Sequence, residues 1–152
     1  MSDSSIETSV IDRDIPSVQE ANTVFYEAFE TLDIQKMDKL WLQNDSVKCV
    51  HPGWEICSGW PDVRDSWVLI FNHTHEITFS VSLLDVTVKE DLAWVVCNES
   101  IATKDNGKWL EGRVLSTNIF ERRDGIWLLV HHHGSPVLAT GNEDKGEESD
   151  TP

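Results

Sequence analysis

Three consecutive histidines, His131, His132 and His133, sit inside the run Ile-Trp-Leu-Leu-Val-His-His-His-Gly-Ser-Pro at residues 126–136. A fourth, His51, ends the run Ser-Val-Lys-Cys-Val-His and precedes Pro52-Gly53. Imidazole titrates near neutral pH, so each is a candidate base, acid or metal ligand. Strict alternation along a strand puts Trp127, Leu129, His131 and His133 on one face and Leu128, Val130 and His132 on the other. On that reading His131 and His133 form one wall of a pocket and His132 faces outward. Histidines at i and i+2 can also share a metal, with a third ligand from His51, Glu99 or Glu111. A second His-x-His, His73 and His75, falls at a helix-to-strand joint. The expected role of His131 and His133 is to line a pocket, with no metal. No Gly-x-Ser-x-Gly, P-loop or Gly-x-Gly-x-x-Gly occurs, so no cofactor is expected.

Other side chains could complete a site. Tyr26 lies at the edge of an apolar helical stripe. Glu99 and Arg113 sit in strand-like runs. An Arg113 pointing inward needs Glu99 or Glu111 beside it, because an unpaired buried charge is costly; pointing outward it is solvated. The chain has seven tryptophans, most of them explained by core packing. Trp54 and Trp60, around Gly59, are placed at a pocket mouth, and Trp67 and Phe71 on a helical apolar stripe beneath it. Trp94 lies on a strand. The expected catalytic set is His51, His133 and Tyr26. The expected ligand-facing set is Trp54, Trp60, Trp67, Phe71, Trp94, Glu99, Arg113 and His131. A hydrogen-bonded structural histidine is the other reading of His51.

These residues need elements to hold them. Pro16 and the Ser17-Val-Gln-Glu20 box predict a helix start, with Val18, Ala21, Phe25, Ala28, Phe29 and Leu32 at helical spacing. Asp33 caps a short second helix bearing Ile34, Met37, Leu40 and Trp41. Residues 46–51 and 54–58 predict short strands separated by Pro52-Gly53. Pro61 and Asp62 open a third helix that frays near residues 72–74. From Glu76 onward the period is that of strands. Ile77, Phe79, Val81 and Leu83 alternate, and Leu84, Val86 and Val88 alternate in the opposite phase, which predicts a bulge. Asp105-Asn106-Gly107 and Asp124-Gly125 predict two further hairpins. Helices followed by a bent antiparallel meander mean an α+β fold. A curved sheet covered by three helices encloses a pocket.

The whole chain supports one domain, expected over residues 15–138 between acidic tails at 1–14 and 139–152. The formal charge of −15 opposes contact with phosphate backbones or anionic membranes, so no nucleic-acid or membrane partner is expected. Three cysteines without a CxxC spacing argue against a disulfide framework. With no leader-like segment and no long apolar run, a cytoplasmic location is expected.

The last hairpin carries Thr117-x-x-Phe120-x-Arg122-Arg123-Asp124-Gly125-x-Trp127-x-Leu129-Val130-His131-x-His133-x-Ser135. This run, with the helix-helix-strand-His-Pro-Gly order before it, resembles the nuclear transport factor 2-like superfamily in its SnoaL-like branch. The end motif is similar to that of the calcium/calmodulin-dependent protein kinase II association domain. The resemblance implies a cone-shaped, cystatin-like fold with an apolar pocket, and homodimers formed through the outer sheet face. It implies one of two roles. The first is binding of an apolar or carboxylated metabolite, with or without turnover as a cofactor-independent isomerase, dehydratase or cyclase. The second is a non-catalytic oligomerisation module. His51-Pro52 occupies a place similar to the Asp-Pro of ketosteroid isomerase, and the change of Asp to His speaks against steroid isomerisation.

Overall fold

In the computed structural model, the backbone is described for residues 2–138 and the side chains for residues 14–138. The elements are α1 (Ser2–Thr31), α2 (Ile34–Asp38), β1 (Lys48–Val50), β2 (Cys57–Ser58), α3 (Trp60–Asn72), β3 (Glu76–Lys89), β4 (Leu92–Asp105), β5 (Lys108–Arg123) and β6 (Ile126–Pro136). The α+β class follows. No described helix is long and apolar enough to cross a membrane.

Turn chemistry sets the meander. Asn106-Gly107 and Asp124-Gly125 all have positive φ, between 52° and 80°, as a two-residue hairpin loop requires. Leu32 takes φ of 57° and ends α1. Asp33 then caps α2 by accepting the Gln35 amide at 2.9 Å, which is the tight corner expected between the helices. His51-Pro52-Gly53-Trp54 forms a β-turn closed by the Trp54 amide on the His51 carbonyl at 2.8 Å. Gly53, at φ 83°, takes the left-handed third position that such a turn gives to glycine.

Two expectations change here. Helix α1 begins at Ser2 and carries Pro16 inside it, so Pro16 and the Ser17–Glu20 box do not mark its start. Beside that proline, Asp14 is held by Arg122 at 2.8 Å, which ties the turn down across the missing backbone bond. The expected tail at 139–152 lies outside the described residues. The sheet is also mixed. Its order is β2-β1-β6-β5-β4-β3, and β1 runs parallel to β6. Strand β1 gives one edge to the antiparallel β2, leaving its other edge to meet β6 in the same direction.

The helices cover the concave face. Val18, Phe25, Phe29, Met37, Trp41, Val63, Trp67, Val95, Phe120 and Leu129 are buried in one core. Trp67 is fully buried and lies edge-on to Phe25, Phe29 and His51, with ring centroids at 5.8, 4.9 and 4.7 Å. Away from that core, Arg122 contacts Asp14 and Asp91 and stacks 4.9 Å from the Trp127 ring. It joins α1, the β3–β4 turn and the last hairpin.

Candidate functional site

Register decides which side chains meet. Strand β3 carries the expected bulge: Leu83 pairs with Cys97 and Asp85 with Val96, leaving Leu84 over. A second bulge lies in β6. Ile119 pairs with His131 but Phe120 pairs with Leu129, so Val130 is the extra residue. One extra residue inverts every side chain beyond it. Trp127 and Leu129 face the core as expected, but after Val130 the inward residues are His132 and Gly134. His131 and His133 therefore lie on the outer face, His133 exposed, and neither lines the interior. That corrects the expected pocket wall. His132, expected outside, is 2% exposed.

An inner cross-strand row results: Val95, Asn118, His132, Cys49 and Cys57 are successive partners. The neighbouring row is Cys97, Ser116 and Gly134. Gly134 is needed there, because a Cβ would meet Val114 Cγ1 at 3.0 Å and Pro52 Cγ at 3.2 Å. Its bareness lets the His51 turn close over β6.

Two polar clusters grow from these rows. In the first, the Tyr26 hydroxyl donates to Glu99 Oε2, and Ser116 Oγ donates to the same oxygen at 2.5 Å. Asn118 Nδ2 donates to Asn22 Oδ1 at 2.9 Å and to the Tyr26 oxygen at 3.1 Å. With both amide hydrogens used, Asn118 Oδ1 accepts from His132 Nδ1–H at 2.5 Å, which fixes that tautomer. Donors thus point in series from His132 through Asn118 and Tyr26 to Glu99. Burial raises the Glu99 pKa, and it outweighs the opposing hydrogen bonds from Ser116 and Tyr26. Burial and the nearby carboxyl push the Tyr26 pKa up. Burial, with the neighbouring histidines, pushes His132 well down. Burial thus disfavours the charged form of all three groups.

In the second cluster, Ser66 Oγ donates to the Val63 carbonyl at 2.6 Å and so accepts from His51 Nε2–H at 2.8 Å. Cys49 Sγ lies 3.4 Å from His51 Nε2 and 3.9 Å from Nδ1. Burial pushes the His51 pKa down to about 4, so the ring is neutral at pH 7. The His51 and His132 rings stand 6.3 Å apart, with Trp67 packed against both.

The clusters differ in access. Asn22 and Tyr26 line a hollow of about 430 Å³ between α1 and β3, with Thr23, Glu27, Glu30, Phe79, Val81 and Leu83 as its other walls. Another hollow, about 680 Å³, lies at the sheet's far end and includes Glu111 and Arg113. Neither includes His51, Ser66 or His132.

The other expected residues sort by face. Glu99, Trp67 and Phe71 are buried inside, but Trp67 fills the interior instead of lining a void. Arg113 is exposed, in the outward phase of β5, and does not reach the interior, because inward positions there are Val114, Ser116 and Asn118. Trp94 is likewise on the outer phase of β4. Trp54 is 39% exposed beside His51, and Trp60 packs on Trp41 at 6.1 Å. The structure brings Tyr26 and Glu99 together and keeps His51 apart from them. Asn22, Ser66, Ser116, Asn118 and His132 were missed. Asn22 stands one helical turn before Tyr26, and Ser116, Asn118 and Phe120 alternate in phase, which was the available signal. Among the described residues, no group of three or more His, Cys, Asp or Glu is placed to hold a metal ion.

Comparison with known proteins agrees with this architecture. The family described as SnoaL-like domain matches residues 18–139. A Streptomyces avermitilis structure, provisionally assigned as a dehydratase of the nuclear transport factor 2-like family, is 38% identical. It covers 84% of this chain and 99% of its own, with a TM-score of 0.78. A Thiobacillus denitrificans structure, provisionally assigned as a calcium/calmodulin-dependent protein kinase type II association domain, is 26% identical. It covers 79% of this chain and 94% of its own, with a TM-score of 0.72. The F-box protein SKIP8 of Arabidopsis thaliana is 37% identical over 77% of this chain. The chain spans about half, 48%, of that curated relative's length.

Proposed function

Because this chain belongs to the SnoaL-like family, we propose that it is a small-molecule-binding domain whose ligand seats between α1 and β3. One observation carries this: Asn22 and Tyr26 line a hollow and are also joined to the buried Glu99 network. A ligand there meets apolar walls from Phe79, Val81 and Leu83 and a polar floor from Asn22 and Tyr26. Glu27 and Glu30 stand at the same hollow and repel anions. Of the apolar and carboxylated classes, an apolar ligand bearing a carbonyl or hydroxyl fits better. The finer proposal is acid–base isomerisation, dehydration or cyclisation of that ligand. Tyr26 would turn its hydroxyl hydrogen from Glu99 to a ligand oxygen as charge develops there, with the Glu99 carboxyl behind it. The 38% identity to a provisionally assigned dehydratase supports this chemistry.

A second reading has its own support. His51, the natural base, is sealed behind Trp67, which favours recognition without turnover. The outer sheet face carries Trp94, Val96, Ile119 and Val130, all partly buried, and would serve a homodimer. The likeness to association-domain and F-box proteins suits such a module.

Native mass spectrometry of freshly purified protein separates the two. The first reading expects a retained small-molecule mass that Tyr26→Phe and Asn22→Ala lose. Ligand-free homo-oligomers, identical in wild type and both variants, would support the second.

A further inference from the structure

The inner row continues to the sheet's edge. Cys49 pairs with His132 on one side and, through the antiparallel β1–β2 ladder, with Cys57 on the other. Directly opposed residues in such a ladder share a face, with Cα atoms about 4.5–5.5 Å apart. A disulfide spans Cα separations of about 4.4–6.8 Å. Both thiols are free, Cys49 buried and Cys57 partly exposed on the edge strand. We propose that Cys49 and Cys57 form a reversible disulfide, making the β1–β2 edge a redox modification site that reports to His51.

Their unequal exposure assigns the order of steps. A hydroperoxide meets Cys57 first. The Cys57 sulfur attacks the outer peroxide oxygen, the O–O bond breaks, and the alcohol leaves with a proton, giving a sulfenic acid. Cys49 sulfur then attacks Cys57 sulfur, the S–O bond breaks, and water leaves carrying the Cys49 proton. Two thiols and one hydroperoxide become one disulfide, one alcohol and one water. Burial raises the Cys49 pKa, so its proton passes to the departing hydroxyl as the S–S bond forms, and no separate thiolate is needed. His51 lies beside the thiol: Nε2–H is given to Ser66, leaving Nδ1, 3.9 Å from Cys49 Sγ, as the acceptor that faces it. A disulfide sulfur has no hydrogen to offer, so oxidation removes a donor from the His51 ring. The third thiol, Cys97, is on β4 beside the Tyr26 hydroxyl at 3.5 Å and is not opposite either partner.

The test uses the full chain treated with hydrogen peroxide, freed of peroxide, unfolded in urea, alkylated with N-ethylmaleimide and digested with trypsin without reduction. Both thiols fall on one tryptic peptide, residues 49–64. The expected product is that peptide lighter by two hydrogens and unalkylated, with Cys97 alkylated, and dithiothreitol restores both thiols. Cys57→Ser should leave Cys49 fully alkylable after the same treatment. Cys49→Ser should leave a Cys57 sulfenic acid that dimedone captures; should that variant not fold, Cys57→Ser alone decides. The His51 ring proton should shift on oxidation of the wild type and stay fixed in Cys57→Ser. Overturning results are two alkylable thiols on peptide 49–64 after peroxide has oxidised Cys97, a Cys57 oxidised beside a Cys49 that stays alkylable, a Cys57–Cys97 bridge, or a bridge between chains. Complete resistance of all three thiols to peroxide overturns it equally.

Discussion

The Tyr26–Glu99 cluster and the His51–Ser66 cluster share one sheet face, yet they meet solvent differently. The first borders a hollow through Asn22 and Tyr26. The second is roofed by Trp67 and the His51 turn. The polar side chains of both are hydrogen-bonded, although the Trp67 Nε1 over the second has no partner, so hydrogen bonding within the clusters does not distinguish them. What does is the helix above each. Helix α1 offers an Asn and a Tyr toward β3, while α3 offers Trp67, which fills the space that a ligand would need beside His51. Polar residues in a cone's interior are therefore not by themselves evidence of a binding site; the covering side chain decides.

The largest test of that contrast is Trp67→Ala. Removing a fully buried indole should cost about 3–5 kcal/mol of unfolding free energy by urea titration. It should also open His51 to solvent, moving its pKa back toward the ordinary value in an NMR titration. A His51 pKa that stays near 4 would show that Trp67 is not the seal.

Acid should separate the clusters next. His51 is held neutral, with its folded pKa below the unfolded value. Its contribution to stability is whole above pH 6.5 and is lost as pH falls toward about 4. A depression of that size corresponds to on the order of 3 kcal/mol. Buried His132, also depressed, acts in the same direction. Glu99, with a raised pKa, works oppositely, favouring the fold at low pH and losing that benefit as pH rises above its unfolded value. Net loss of stability from pH 7 to 5 is expected, and His51→Gln should reduce it, leaving the part due to His132. An unchanged slope in that variant would place the acid lability elsewhere.

Replacement of Glu99 is expected to matter less and to depend on shape. Glu99→Gln keeps the shape and an acceptor for Tyr26 and Ser116 and should change stability at pH 7 by less than about 1 kcal/mol. Glu99→Ala strands two buried hydroxyls and should cost roughly 1–3 kcal/mol for each. Equal losses for Gln and Ala would show that the acceptor offered to Tyr26 and Ser116 is not what the position supplies. A loss of about 1 kcal/mol, well below that of Glu99→Ala, is expected for Arg122→Ala, which breaks partly exposed ion pairs and a ring contact. It lies away from both clusters, so neither the His51 titration nor any Tyr26-dependent ligand retention should move.

The two bulges show how far the sequence could be read. Leu84 betrays its bulge because apolar residues alternate on both sides of it, in opposite phases. Val130 hides its own: beyond it stand His, His, His, Gly, Ser and Pro, where no apolar rhythm marks the inward side. The α+β order, the two Gly turns and the Asp33 corner were legible because local chemistry dictates them. The parallel β1–β6 pairing was not, since it joins residues some eighty positions apart through no turn of their own. Tyr26 and Glu99 were legible as candidates from their types. Their partnership depended on Ser116 and Asn118, neutral side chains that carry little meaning until their phase is known.

The donor series from His132 to Glu99 has one consequence of its own. A Grotthuss chain needs each member both to take up a proton and to release another, and Asn118's amide does neither readily. The series therefore conducts polarisation while insulating the two ends against proton exchange. Charging or reorienting His132 would be felt at Glu99 as an altered field, while each group keeps its own proton inventory.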